Sequence, residues 1–145
     1  MEERRLLREF VHWPDAINVL QRIADGVYQE QQILRLEAQL RSQVAGTPFY
    51  MISRGIILAY SKGLIATDKI REEPTKPLTD KDVVYIGELY GGHVNHEIMN
   101  NHRWTLDEVY RCRRRVLKVL EISNEYQIVL WEARHRERAS QLKNA

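Results

Sequence analysis

The chain has 145 residues, 43% of them hydrophobic and 29% charged, with a formal net charge of +2. That length fits one domain with a real apolar core, and so mild a charge does not by itself imply a nucleic-acid partner. Seven glycines and four prolines disfavour a turn-rich β fold, so the expected class is all-α. Cys112 is the single cysteine and can form no internal disulfide, which removes any pointer to an oxidising compartment. No apolar run approaches the roughly 20 residues that a membrane span needs, and the start, MEERRLLREF, has no apolar signal-peptide core. The expected location is cytoplasmic, with no membrane partner.

In chain order, residues 2–11 form a charged, helix-prone lead, followed by a break near Trp13 and a fresh helix start at Pro14. Across residues 15–45 apolar side chains recur at Ile17, Leu20, Ile23, Ala24, Val27, Ile33, Leu36, Leu40 and Val44, close to helical steps. This reads as one long helix or two stacked ones, with Gly26 as the weak point. Gly46-Thr47-Pro48 stops one helix and starts the next. Residues 49–60 form the most apolar stretch, expected as a buried helix that ends at Gly63. Residues 64–70 suit a short helical piece, and residues 72–78, EEPTKPL, form a two-proline connector.

Thr79 is placed to cap a helix over residues 80–90, closed by Gly91-Gly92. A short helix is expected over 94–101, then a tight turn. Thr105 and Glu108 have capping-box spacing, which starts another helix. Its pattern runs to Leu120, with an interruption at Ser123-Asn124 before a last helix over 126–141 and a charged tail, ARHRERASQLKNA, expected to fray. Residues 1–72 thus read as an N-terminal helical lobe suited to oligomerisation, 73–79 as a connector, 80–122 as a trihelical unit, and 123–145 as a C-terminal helix and tail. Residues 103–118 carry six basic and two acidic side chains, so the positive charge of the whole chain is concentrated on one short helix.

Residues 97–115, EIMNNHRWTLDEVYRCRRR, resemble the helix-turn-helix segment of bacterial and phage DNA-binding proteins. The alignment is ungapped over the family's "EIA, three residues, Gly-Val-Ser, three residues, Val-Tyr-Arg" pattern. The resemblance covers about twenty residues, nearer forty with the preceding helix. It implies that Ile98 packs inward, Trp104 plugs the turn, and Val109 with Cys112 or Val116 forms the buried side of the second helix. Thr105, Asp107, Tyr110, Arg111, Arg114 and Lys118, flanked by Arg113 and Arg115, would then face DNA. Arginines there suit phosphates or guanine O6 and N7, a tyrosine hydroxyl suits a phosphate, and an aspartate suits a cytosine amino group. The chain departs from the pattern at Met99, His102 and Arg103, which stand for an alanine, a leucine and the turn glycine. An arginine where φ is often positive meets a steric penalty, so a longer or differently shaped turn is expected.

His93, His96, Glu97 and His102 lie within ten residues, but HVNHE matches neither zinc-protease order. No metal is expected, and His102 near the turn suits a backbone carbonyl. Cys112 has no His and acid partner placed to activate it and reads as a small buried residue. P-loop, Rossmann and nucleophile-elbow patterns are absent from the sequence, so neither an enzyme, a cofactor nor a small-molecule substrate is expected. The expected partner is double-stranded DNA, bound by a homo-oligomer because one recognition helix covers few base pairs. The function expected is DNA binding in transcription regulation. The alternative is a helical assembly or adaptor protein, or a phage DNA-packaging component similar to small terminases, that brings the same basic helix to a protein or DNA. The segments at 17–44 and 126–141 suit either an oligomer interface or packing on residues 49–60.

Overall fold

The computed structural model describes residues 14–27, 30–41 and 47–143. The predicted lead at 2–11, Trp13, Val44 and Gly46 lie outside the described residues. The described residues form α1 (Pro14–Asp25), α2 (Glu30–Arg41), α3 (Pro48–Ser61), α4 (Asp80–Tyr90), α5 (Asn95–His102), α6 (Leu106–Leu120) and α7 (Glu125–Lys143), with no strand among them. The all-α class is thus established.

Local signals account for most helix starts. Thr47 caps α3 by accepting from the Tyr50 N–H at 3.1 Å, with Pro48 at the first helical position. At α4, Thr79 Oγ1 accepts from Asp82 N at 3.1 Å and Asp82 Oδ2 accepts from Thr79 N at 3.4 Å. At α6, Thr105 and Glu108 repeat the exchange, both bonds at 3.2 Å. After α4 the backbone turns through Gly92 at φ 85°, where an added Cβ would come within 2.4 Å of the Tyr50 ring. Only glycine fits that turn as packed.

A single apolar cluster draws on every helix. It includes Leu20, Ile23, Leu36, Met51, Ile52, Ile56, Tyr85, Ile86, Ile98, Val109, Val116, Leu120 and Ile128 to Trp131. Helix α7 lies against α1, α3, α4 and α6. Its apolar run Ile128, Val129, Leu130, Trp131 and Ala133 is therefore buried in the chain's own core rather than presented outward.

Two expectations are corrected here. Residues 64–70 are not helical. Ile65 and Ile70 are buried there, but carbonyls that a helix would use are taken by side chains of other elements. Arg134 of α7 donates to the carbonyls of Thr67, Ile70 and Arg71 at 3.1, 2.8 and 2.7 Å. Gln21 of α1 donates to that of Ala66 at 3.0 Å. The charged tail, in turn, stays helical to Lys143. Its side chains are anchored: Tyr60 donates to Glu137 at 2.6 Å, Arg136 bonds Glu132 at 2.9 Å, and Arg138 pairs with Glu72.

The region 15–45 resolves into two helices, because α1 ends at Asp25 and Gly26 takes φ 76°. A buried polar junction fastens this end of α1 to the start of α7. Asn124 Nδ2 donates to the carbonyl of Ile23 at 3.0 Å, and Gln127 Nε2 to that of Ala24 at 3.1 Å. Gln127 Oε1 accepts from the backbone N–H groups of Ser123 and Asn124 at 2.8 and 3.1 Å. A Cβ at Gly26 would meet Ser123 Oγ at 2.8 Å. Two carbonyls in the last turn of α1 and the two amides that lead into α7 are thus satisfied. Replacing Gln127 by alanine orphans groups at both ends, with an expected loss of about 3 kcal/mol, checked by urea unfolding. A loss within experimental error would contradict the junction.

Candidate nucleic-acid interface

Three residues, Arg103, Trp104 and Thr105, separate α5 from α6. Arg103 occupies the left-handed region at φ 56° and ψ 39°. The turn is therefore not lengthened, contrary to the expectation drawn from a missing glycine. The arginine adopts the glycine conformation and bears a cost of roughly 1 kcal/mol. What holds it there is its surroundings. The Trp104 N–H closes α5 on the carbonyl of Met99 at 3.0 Å, and the half-buried Trp104 ring packs against the core. Lys81 Nζ stands 4.9 Å from the centre of that ring and also pairs with Glu108. Lys81 of α4 thereby braces both the turn and the cap of α6.

Helix α5 is held by an unanticipated residue. Glu88 of α4, with its side chain 15% exposed, accepts from His93 Nδ1 at 2.5 Å, His102 Nε2 at 2.7 Å and Asn101 Nδ2 at 3.3 Å. Both ends of α5 are thus tied to one carboxylate, and His102 finds a side-chain acid rather than a backbone carbonyl. Burial raises the Glu88 pKa, but the bonds from His102, His93 and Asn101 outweigh it and hold the carboxyl below the ordinary value of 4.5. Glu97 accepts from Val94 N at 3.0 Å at the start of α5, and His96 is exposed. No group of three or more metal-ligating side chains converges among the described residues.

Helix α6 advances about 100° per residue, and that spacing sorts its side chains. Val109, Cys112, Val116 and Leu120 are fully buried, and Ile98 of α5 packs inward with them. Cys112 is inside, with burial raising its thiol pKa, so it lacks the character of a reactive thiolate. The arginines divide three ways. Arg115, at one margin of the buried stripe, forks onto Asp82, with Nε and Nη2 at 3.1 and 2.9 Å from Oδ1. Arg113, at the other margin, donates to Glu125 of α7 at 2.8 Å. Both fasten α6 to its neighbours, with side chains still 44% and 36% exposed. Arg111 meets Asp107 one turn back at 3.1 Å, with both side chains well exposed.

The outward strip of α6 therefore presents Asp107, Tyr110, Arg111, Arg114 and Lys118. Arg114 and Lys118 form no ion pair with any described residue. Thr105 lies at the head of this strip, its hydroxyl occupied in the cap. Leu106 and Tyr110 add exposed apolar surface beside the charges. Sequence reading did not single out Lys81, Asp82 or Glu88. Only Asp82 carried a local signal, three residues beyond the capping Thr79.

Replacing Arg103 by glycine should raise folding stability by about 0.5–1 kcal/mol, read as a higher urea midpoint at unchanged slope. A fall would show that the arginine side chain itself holds the turn. Glu88→Gln should cost about 1 kcal/mol at neutral pH. Because folding lowers this pKa, the carboxylate's contribution is whole above pH 4.5 and is lost as pH falls below it through the folded value. Variant and wild type should therefore converge in acid, and a constant difference down to the acid transition would refute the linkage. Compared with known proteins, the chain matches no family model, no curated protein and no solved structure.

Proposed function

We propose that the chain is a small DNA-binding protein, a regulator of transcription, that lays the outward strip of α6 in the major groove of double-stranded DNA. The observation that carries this reading is the division of the basic residues. Arg113 and Arg115 are consumed by acids of the fold, while Arg114 and Lys118 remain exposed with no acid partner among the described residues. Cations left over on one face, after the fold has taken what it needs, suit a row of phosphates. The short turn from α5 supports the same reading, since it lets a helix braced by a shorter neighbour project that face. Tyr110 suits a phosphate oxygen, and Arg103 in the turn adds a further cation near the head of the helix.

A second reading is a helical assembly protein, or a DNA-packaging subunit similar to small terminases, in which oligomerising helices accompany the basic one. Val27 and Leu34, 66% and 55% exposed at the α1–α2 end, favour it, because apolar side chains there suit contact with further copies. Mass in solution separates the two: a dimer fits regulation and a ring-sized oligomer fits packaging.

Mobility shifts with random-sequence duplex at two salt concentrations test the DNA reading. The double variant Arg114→Ala/Lys118→Ala should bind more weakly, with the slope of log affinity against log salt shallower by about 2 and helicity unchanged. An unchanged slope, or no retention of wild-type protein on DNA at moderate salt, would refute it.

A further inference from the structure

The Asp107–Arg111 pair stands apart from the other ion pairs of α6. Arg113 and Arg115 join α6 to other helices, whereas Arg111 pairs only along its own helix, in full view of solvent, with side chains 63% and 68% exposed. Such a pair contributes little to folding stability. It also places a negative charge on the strip that, in the reading proposed above, faces phosphates, where an acid is unfavourable unless neutralised. Its geometric effect is more specific. The acid lies four residues before the arginine and draws the guanidinium toward the N-terminal half of α6, the half that meets base edges when such a helix enters the major groove.

Resting on that reading, we infer that Arg111 reads a guanine and that Asp107 is its positioning residue. Nη2 of Arg111 lies 3.1 Å from Asp107 Oδ2 as an ion pair. Each terminal nitrogen carries two hydrogens, and in this proposal the acid takes the Nη2 hydrogen on the Nε side, which leaves one hydrogen on Nη2 and both on Nη1. These form the parallel donor pair that guanine O6 and N7 accept. Asp107 fixes the guanidinium plane before DNA arrives, which removes part of the ordering cost of a long side chain. Its second oxygen is left to accept from a cytosine amino group of the neighbouring pair. Arg114 and Lys118, further along the same strip and without such a partner, are left to the phosphates.

The test is selection of bound duplexes from a random-sequence pool by wild type, Arg111→Ala and Asp107→Asn, followed by competition between the selected duplex and one altered at the enriched guanine. Wild type should enrich a guanine and discriminate it by roughly 5- to 150-fold. Arg111→Ala should lose that preference. Asp107→Asn removes a negative charge and should bind random DNA as tightly as wild type or more so, while its guanine preference falls toward that of Arg111→Ala and its melting temperature stays the same. A role confined to helix stability would instead lower melting and leave base preference intact. Salt-dependent binding without guanine enrichment, or enrichment indifferent to both variants, overturns the pair's role and leaves the DNA-binding reading standing. Failure of the wild type to bind duplex overturns both.

Discussion

Asp82 is 3% exposed and does two things with one carboxylate: it completes the cap of α4 and receives the fork of Arg115 from α6. A buried carboxylate is costly unless each oxygen is satisfied, so the cap and the fork stabilise one another. The pairing also fixes the rotation of α6 about its own axis. With Arg115 turned to Asp82 and Arg113 turned to Glu125, Val109, Cys112 and Val116 point into the core, and the strip bearing Arg111, Arg114 and Lys118 must lie on the opposite side. The exposure of that strip follows from the buried stripe and the pairs at its two margins rather than from its own charge.

Helix α4 serves as the mounting for the whole trihelical region. Lys81 braces the turn and the cap of α6, Asp82 sets its rotation, and Glu88 gathers both ends of α5. All three attachments are polar. The apolar contacts of Ile86, Ile98 and Val109 supply the cohesion, while the polar ones specify orientation. This division explains how an eight-residue helix such as α5, too short to persist alone, is held at both ends.

The helix starts at Thr47-Pro48, Thr79 and Thr105 were readable because capping depends on residues three or four apart, and the buried stripe of α6 was readable because a helix repeats its face. The fate of each arginine was not. Helical spacing sets Arg114 outward and Arg113 and Arg115 at the margins of the buried stripe, but that the two marginal arginines are paired depends on acids 12 and 33 residues away. Glu88 looked like any surface acid until the chain brought His93 and His102 to it. The loop at 64–70 has apolar residues at near-helical spacing, yet Arg134 from the far end of the chain takes its carbonyls. Local pattern reports which elements form; long-range polar partners decide which side chains remain available.

The junction of Gln127 and Asn124 with the end of α1 joins groups more than 100 positions apart along the chain. Closing so long a loop carries an entropy cost that must be met before these bonds can form. They are therefore placed to assemble late, after local helices and their nearer contacts. Interactions that form late weigh mainly on the rate of unfolding rather than of folding. A junction formed late would act as a kinetic latch, bearing on how long the native state persists once made.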